Sequence, residues 1–162
     1  VFGSGKIRKI DENHCLATWD TVLIQVWRLE TTSEAVADLV RITRAFIAEQ
    51  THSICSIALI EGTSPAPTDV VRKQLSNFYR EFAPSMEKAI VVAEGGGFRA
   101  ALVRGVGITL SMLAPSALPF TFVGSTREAT LLIGKHLSPG AGGTEALQRV
   151  VAQVRAEASA RA

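Results

Sequence analysis

Ile54–Phe82 reads ICSIALIEGTSPAPTDVVRKQLSNFYREF, and its three parts decide the fold class. Ile54–Ile60 is apolar except for Ser56 and rich in the residues that suit a strand. Glu61–Asp69 contains Gly62, Pro65 and Pro67, so no regular element runs through it. Val70–Phe82 then returns Val71, Leu75, Phe78 and Phe82 at helical spacing. One side of the strand carries Cys55, Ile57 and Leu59, the other Ile54, Ala58 and Ile60 with Ser56 among them. Neither side is strongly polar. Parallel strands covered on both faces read this way, and a helix following such a strand is the crossover of a βαβ unit.

The same unit extends in both directions. Upstream, Cys15–Trp19 and Val22–Leu29 flank Asp20-Thr21, close enough for a hairpin. Ile7 and Ile10 within Lys6–Asn13 support an additional short edge segment. Thr31 with Glu34 forms a capping box before a helix that carries Val36, Leu39, Val40, Thr43, Phe46 and Ile47. Downstream, Met86–Ala93 is a strand region, and Glu94–Gly97 turns into a helix reaching about Leu113, ended by Pro115 and Pro119. Phe120–Val123 is the last strand, and Ser125 with Glu128 is a second capping box before Ala129, Leu132, Ile133 and His136.

These elements predict one α/β domain with a mostly parallel five-stranded sheet, crossover helices and an extra C-terminal helix. Its parts are a lead-in at 1–13, the α/β domain at 14–137, a linker at 138–143 and a terminal helix at 144–162. Right-handed crossovers that advance in one direction place every crossover helix on one side of the sheet. The opposite face therefore needs a cover. Leu147, Val150, Val151, Val154 and Ala158 give the terminal helix an apolar stripe that fits either its own sheet or a second copy, with a homodimer favoured.

Composition narrows the class. Seventeen Lys and Arg against fifteen Asp and Glu leave a formal charge of +2, and the signs alternate along the 162-residue chain. No basic run is interleaved with aromatics, so nucleic acid is not the expected partner. No basic-then-apolar leader precedes the first strand. The longest greasy stretch, Ala100–Phe120, is broken by Arg104, Pro115 and Pro119, so no membrane span is expected. Cys15 and Cys55 read as small buried thiols in a reducing, cytoplasmic compartment.

The order of elements over residues 14–137 resembles the SpoIIAA-like, or STAS-like, family, the anti-sigma-factor-antagonist fold. The resemblance rests on the opening strand pair, the capped helix after Thr31 and the strand ending ALIEG at Ala58–Gly62. It continues through VVRKQLSNFYREF at Val70–Phe82, IVVAEGGGFRAALVRG at Ile90–Gly105 and PFTFVGSTREATLLI at Pro119–Ile133. The closing pattern looks like bacterial SpoIIAA-like proteins whose family function is undefined. The resemblance implies a regulatory protein-binding domain of bacterial signalling type, in which a Ser or Thr after the buried strand is phosphorylated by a partner kinase. Thr63 and Ser64 fall in that region, but the family's Asp-Ser-Ser/Thr-Gly neighbourhood is replaced by Glu-Gly-Thr-Ser-Pro-Ala-Pro. Other relatives look like small apolar-ligand or lipid-binding modules.

Catalytic signatures are missing. Gly95-Gly96-Gly97 before a helix, with Arg99 nearby, could expose amides to an anion, yet neither a P-loop nor GxGxxG is present. His14, His52 and His136 are dispersed, and no Cys lies near another metal ligand. Glu61 and Glu94 follow strands at the same end of a parallel sheet, where ligand crevices form. No nucleophile elbow accompanies them around Ser56 or Ser64. No catalytic, cofactor or metal residue is therefore expected.

The favoured function is a non-enzymatic regulatory or scaffolding interaction domain. Its partner or phosphorylation surface would comprise Thr63, Ser64, Thr68, Arg72, Lys73 and Arg80. The alternative is a binding module for an apolar small molecule or lipid, with Trp27, Glu61, Glu94, Gly95, Gly96, Gly97, Phe98 and Arg99 as crevice residues. A small enzyme using the strand-end carboxylates ranks lower.

Overall fold

A computed structural model describes residues 3, 5–95, 97, 101, 103–106 and 120–161. Six strands lie across one sheet in the order of the chain: β1 (Lys6–Ile10), β2 (His14–Trp19), β3 (Val22–Trp27), β4 (Ile54–Ile60), β5 (Met86–Ala93) and β6 (Thr121–Val123). The β1–β2 and β2–β3 pairs are antiparallel, and the three remaining pairs are parallel. The sheet is thus mixed and mostly parallel, as expected, with an antiparallel opening pair and a steady advance thereafter.

The expected five strands become six because part of the lead-in pairs with β2. Ile10 lies opposite Cys15 and Lys6 opposite Thr18, with an irregularity between Ile7 and Lys9. Only Ile7 and Ile10 of this strand pack on the core, which is why its pattern is faint. Arg8 and Lys9 occupy the edge and pair with Glu49 and Asp38. Charged side chains and a register break both discourage edge-to-edge pairing with another sheet.

The hairpin turn forms at Asp20-Thr21, with Trp19 opposite Val22. Asp20 adopts a φ of 50°, a conformation that Asp tolerates better than most residues. Its carboxylate accepts from the Ser138 amide at 2.8 Å, and its backbone carbonyl accepts from Gln50 Nε2 at 3.3 Å. One turn residue thus ties the hairpin to two distant segments.

Around the sheet lie α1 (Ser33–Ala48), α2 (Asp69–Phe82), α3 (Thr126–Ile133) and α4 (Gly143–Ala160), with short 3-10 turns at Ala83–Ser85 and Gly134–His136. The first cap lies one residue later than expected. Thr32, not Thr31, accepts from Ala35 N at 3.1 Å, while Thr31 is buried. Thr68 caps α2 and Ser125 caps α3 through Glu128 N. Residues 103–106 are helical, within the helix expected after Phe98. Gly96, Phe98, Arg99 and the continuation to Leu113, with Pro115 and Pro119, lie outside the described residues.

Alternation along each strand divides the core in two. Leu23, Trp27, Ala58 and Val91 face α1 and α2, where they meet Leu39, Phe46, Phe78 and Phe82. Val103 and Val106 pack on this same side. The crossovers therefore share one face, as right-handed connections in an unreversed sheet require. Ile24, Val26, Ile57, Leu59, Ile90 and Val92 form the other face, covered by Ala129 and Ile133 of α3 and by Leu147, Val150, Val151, Val154 and Ala158 of α4.

The stripe on the terminal helix is thus buried against its own sheet, and α4 belongs to the same core as the rest of the chain. The expected linker is a tight turn in which Ala141 N donates to Ser138 O at 3.1 Å. Gly140, Gly142 and Gly143 have φ of 85°, 96° and 68°, a region that glycine enters without steric cost. Among the described residues, no helix is long and apolar enough to cross a membrane.

Candidate functional site

The parallel strands β3, β4 and β5 finish at one edge, with Trp27 opposite Ile60 and Ile60 opposite Ala93. Between this edge, α2 and the loop after β4 lies a cavity of about 100 Å³. Strand alternation points Trp27, Ala58, Val91 and Phe122 toward it, and Leu75 of α2 closes another side. Pro65, Ala66 and Pro67 supply a wall from the loop. No charged side chain occurs among the described lining residues. Phe120 meets Tyr79 edge to face at 4.5 Å and 88°, and both rings line the cavity together with the Trp27 indole.

Beneath the apolar walls runs a buried polar network. Gln25, 1% exposed, donates through Nε2 to Ser56 Oγ at 2.9 Å and accepts from Trp27 Nε1 at 3.1 Å. Burial pushes the Tyr79 phenol above its ordinary range, an effect partly offset by its hydrogen bond with Gln25. An unpaired buried amide would cost about 1–3 kcal/mol, so the mutual pairing is what permits Gln25 inside the core. The ring of His14 stacks on Trp27 at 5.4 Å with 15° between planes. Trp27 is held from two sides.

The loop hydroxyls are engaged by the chain itself. Thr63 Oγ1 donates to Arg28 O at 2.5 Å, and Ser64 Oγ donates to Leu29 O at 2.9 Å. These bonds fasten the loop after β4 to the segment leaving β3. Ser64 is 4% exposed, whereas Thr63 lies at the surface. Thr68 caps α2, and Arg72 in its first turn pairs with Asp69. Lys73 is exposed, and Arg80, in the last turn, donates to Asn77 Oδ1 at 3.1 Å. Arg80 is roughly 12 Å along the helix from Arg72, so the basic groups do not gather around one point.

Glu61 and Glu94 do come together, on the face opposite the cavity, through a residue the sequence did not single out. Arg155 of α4 contacts Glu94 through two hydrogen bonds, at 2.5 and 2.8 Å, and lies 3.8 Å from Glu61. Arg28 completes the cluster, with Nε 3.1 Å from Glu61 and Nη1 donating to Ala158 O at 2.6 Å. Guanidinium groups stay protonated, so both carboxylates face a fixed positive charge. It fastens the last turns of α4 to the carboxyl ends of β3, β4 and β5. Arg155 follows Val154 and lies one helical turn beyond Val151, which is the signal that could have placed it near the buried face.

Other candidate groups are separate. His14 is buried, with Nδ1 3.0 Å from Asp11. His136 Nδ1 lies 2.9 Å from Glu87, and His52 is exposed. Among the described residues, no group of three or more His, Cys, Asp or Glu could hold a metal ion. Both cysteines are free and buried, and burial pushes Cys15 up to about 11 and Cys55 to about 12. Gly95 turns the chain after β5 with a φ of 106°, and Gly97 is helical. No family model matches the sequence, and no curated protein matches it.

Proposed function

We propose that this chain is a non-enzymatic binding module for an apolar small molecule, within a domain of SpoIIAA-like type. The cavity at the carboxyl ends of the parallel strands carries the proposal. Its walls are aromatic, aliphatic and prolyl, and its described lining holds no charge. A small cavity of this kind favours hydrocarbon, since each buried methylene contributes about 0.8 kcal/mol and no ion needs desolvation. The non-enzymatic reading is supported by the described lining, whose one titratable side chain, Tyr79, is pushed upward by burial. The antiparallel opening strands followed by three parallel steps support the SpoIIAA-like assignment.

A regulatory interaction through the loop and α2 ranks second. Thr63 and Lys73 are exposed there, which favours contact with a partner. Ser64 is a poor phosphate acceptor while its buried hydroxyl bonds Leu29.

Native mass spectrometry of gently purified protein is expected to find a small molecule bound. Ala58→Phe, whose ring would occupy the cavity, is expected to release it. Protein that carries no molecule and binds neither cyclohexane nor cyclohexanol in a nuclear magnetic resonance titration would overturn the proposal.

A further inference from the structure

We infer that the span Ser64–Pro67 is the gate of this cavity and that the Ser64 hydroxyl is its latch. The inference rests on the apolar-binding proposal and adds the route by which the occupant enters and leaves. Pro65 and Ala66 line the cavity, and both are also exposed. The loop is therefore a wall that meets the cavity on one side and water on the other. The floor is strand: Ala58 and Val91 lie in β4 and β5, with Leu59 and Val92 buried in the second core behind them. Leu75 and Tyr79 belong to α2, whose Phe78 and Phe82 are locked in the first core. Passage through either wall would break sheet or core, whereas passage at the loop breaks a few hydrogen bonds.

The span is built to move as one piece. Pro65 and Pro67 fix their own φ, and Ser64 and Ala66, each before a proline, are restricted to extended backbone. Gly62, where a Cβ would meet nothing within 4 Å, supplies freedom at one end. Thr68, whose hydroxyl caps α2, anchors the other. The closed position is held across the chain: Ser64 Oγ donates to Leu29 O at 2.9 Å, and Thr63 Oγ1 donates to Arg28 O at 2.5 Å. Ser64 N also donates to Glu61 O at 3.0 Å. Ser64 is buried, so its bond is sheltered from competing water. Each such bond has a modest net strength, enough to keep the gate shut most of the time and weak enough to release.

Nuclear magnetic resonance exchange measurements on the full chain with cyclohexane and cyclohexanol give association and dissociation rates. Ser64→Ala is expected to raise both rates about fivefold, the effect of one hydrogen bond, and to leave Kd within about twofold, because the gate is shut with and without the occupant. Loss of a wall contact would raise the dissociation rate alone. Thr63→Val, at the surface, is expected to act in the same sense, and the double variant to exceed either. Rates unmoved by these variants, or a rise in dissociation alone, overturn the inference. In the unaltered protein the Ser64 amide is expected to exchange its hydrogen through a local opening that is insensitive to low denaturant. Exchange only through global unfolding overturns the gate as well, whether or not the variants fold. Both of these results leave the apolar cavity in place. Failure of both cyclohexane and cyclohexanol to bind the unaltered protein overturns the cavity proposal and this inference together.

Discussion

Arg155, near the end of the terminal helix, grips Glu94 at the end of β5 with two hydrogen bonds, 2.5 and 2.8 Å long. Both side chains are about one third exposed, at 30% and 31%. The pair therefore lies between the weak ion pairs of the surface and the strongly coupled ones of the interior. Its reach matters more than its strength. Glu61, on the adjacent strand end, leads directly into the loop whose Pro65–Pro67 segment walls the cavity. The two faces of the sheet are thus connected at one edge.

Arg155→Met is expected to destabilise the fold by about 1–2 kcal/mol, because it leaves Glu94 half-buried without its partner. Urea unfolding measures the loss, and Glu94→Gln added to Arg155→Met is expected to recover part of it. A double variant no more stable than the single one would argue against a coupled pair. The difference is also expected to shrink in molar salt, since the cluster is partly open to water.

Leu147→Ala is expected to cost about 2–5 kcal/mol, the usual range for a fully buried leucine. Leu147 is fully buried in the core that joins α4 to the sheet. Urea denaturation is the measurement, and a loss below about 1 kcal/mol would mean that α4 does not pack on this face in solution.

Gly134 approaches the start of α4 so closely that a Cβ there would collide with Thr144 Oγ1. Gly134→Ala is expected to lower stability by about 1–3 kcal/mol, as overpacking does. Thr144→Ala removes that oxygen, so the double variant is expected to regain most of the loss. Thermal unfolding of the three proteins decides it.

Alkaline solution is expected to destabilise the protein. Cys15 and Cys55 are pushed by burial from the ordinary 9.0 to about 11 and about 12. The unfolded chain therefore releases these protons first. The stabilisation is complete below pH 9.0 and is lost as pH rises toward the folded values of about 11 and about 12. Denaturant midpoints measured from pH 8 to pH 11 are expected to fall in the upper part of that range. Removing the cysteines as Cys15→Ala with Cys55→Ala is expected to flatten the fall. Disulfide-exchange labelling at pH 8 is expected to be slow until the protein is unfolded.

The sequence determined the parts of this protein governed by local chemistry. The apolar run Ile54–Ile60, the break at Gly62–Pro67 and the spacing of Val71, Phe78 and Phe82 dictated strand, loop and helix. The two faces of β3 and β4 were legible from period-two alternation. Handedness then placed the crossover helices together. Only the tertiary structure decided which hydroxyl caps α1, since Thr31 and Thr32 are adjacent candidates and burial of one selects the other. Tertiary structure also decided the fate of Glu61 and Glu94. Their partner Arg155 lies 61 residues from Glu94 in the chain, and no local pattern expresses such a pairing. The cavity is of the same kind. Gln25, Ala58 and Leu75 come from three elements, and they line one space only once the sheet and α2 have closed around it.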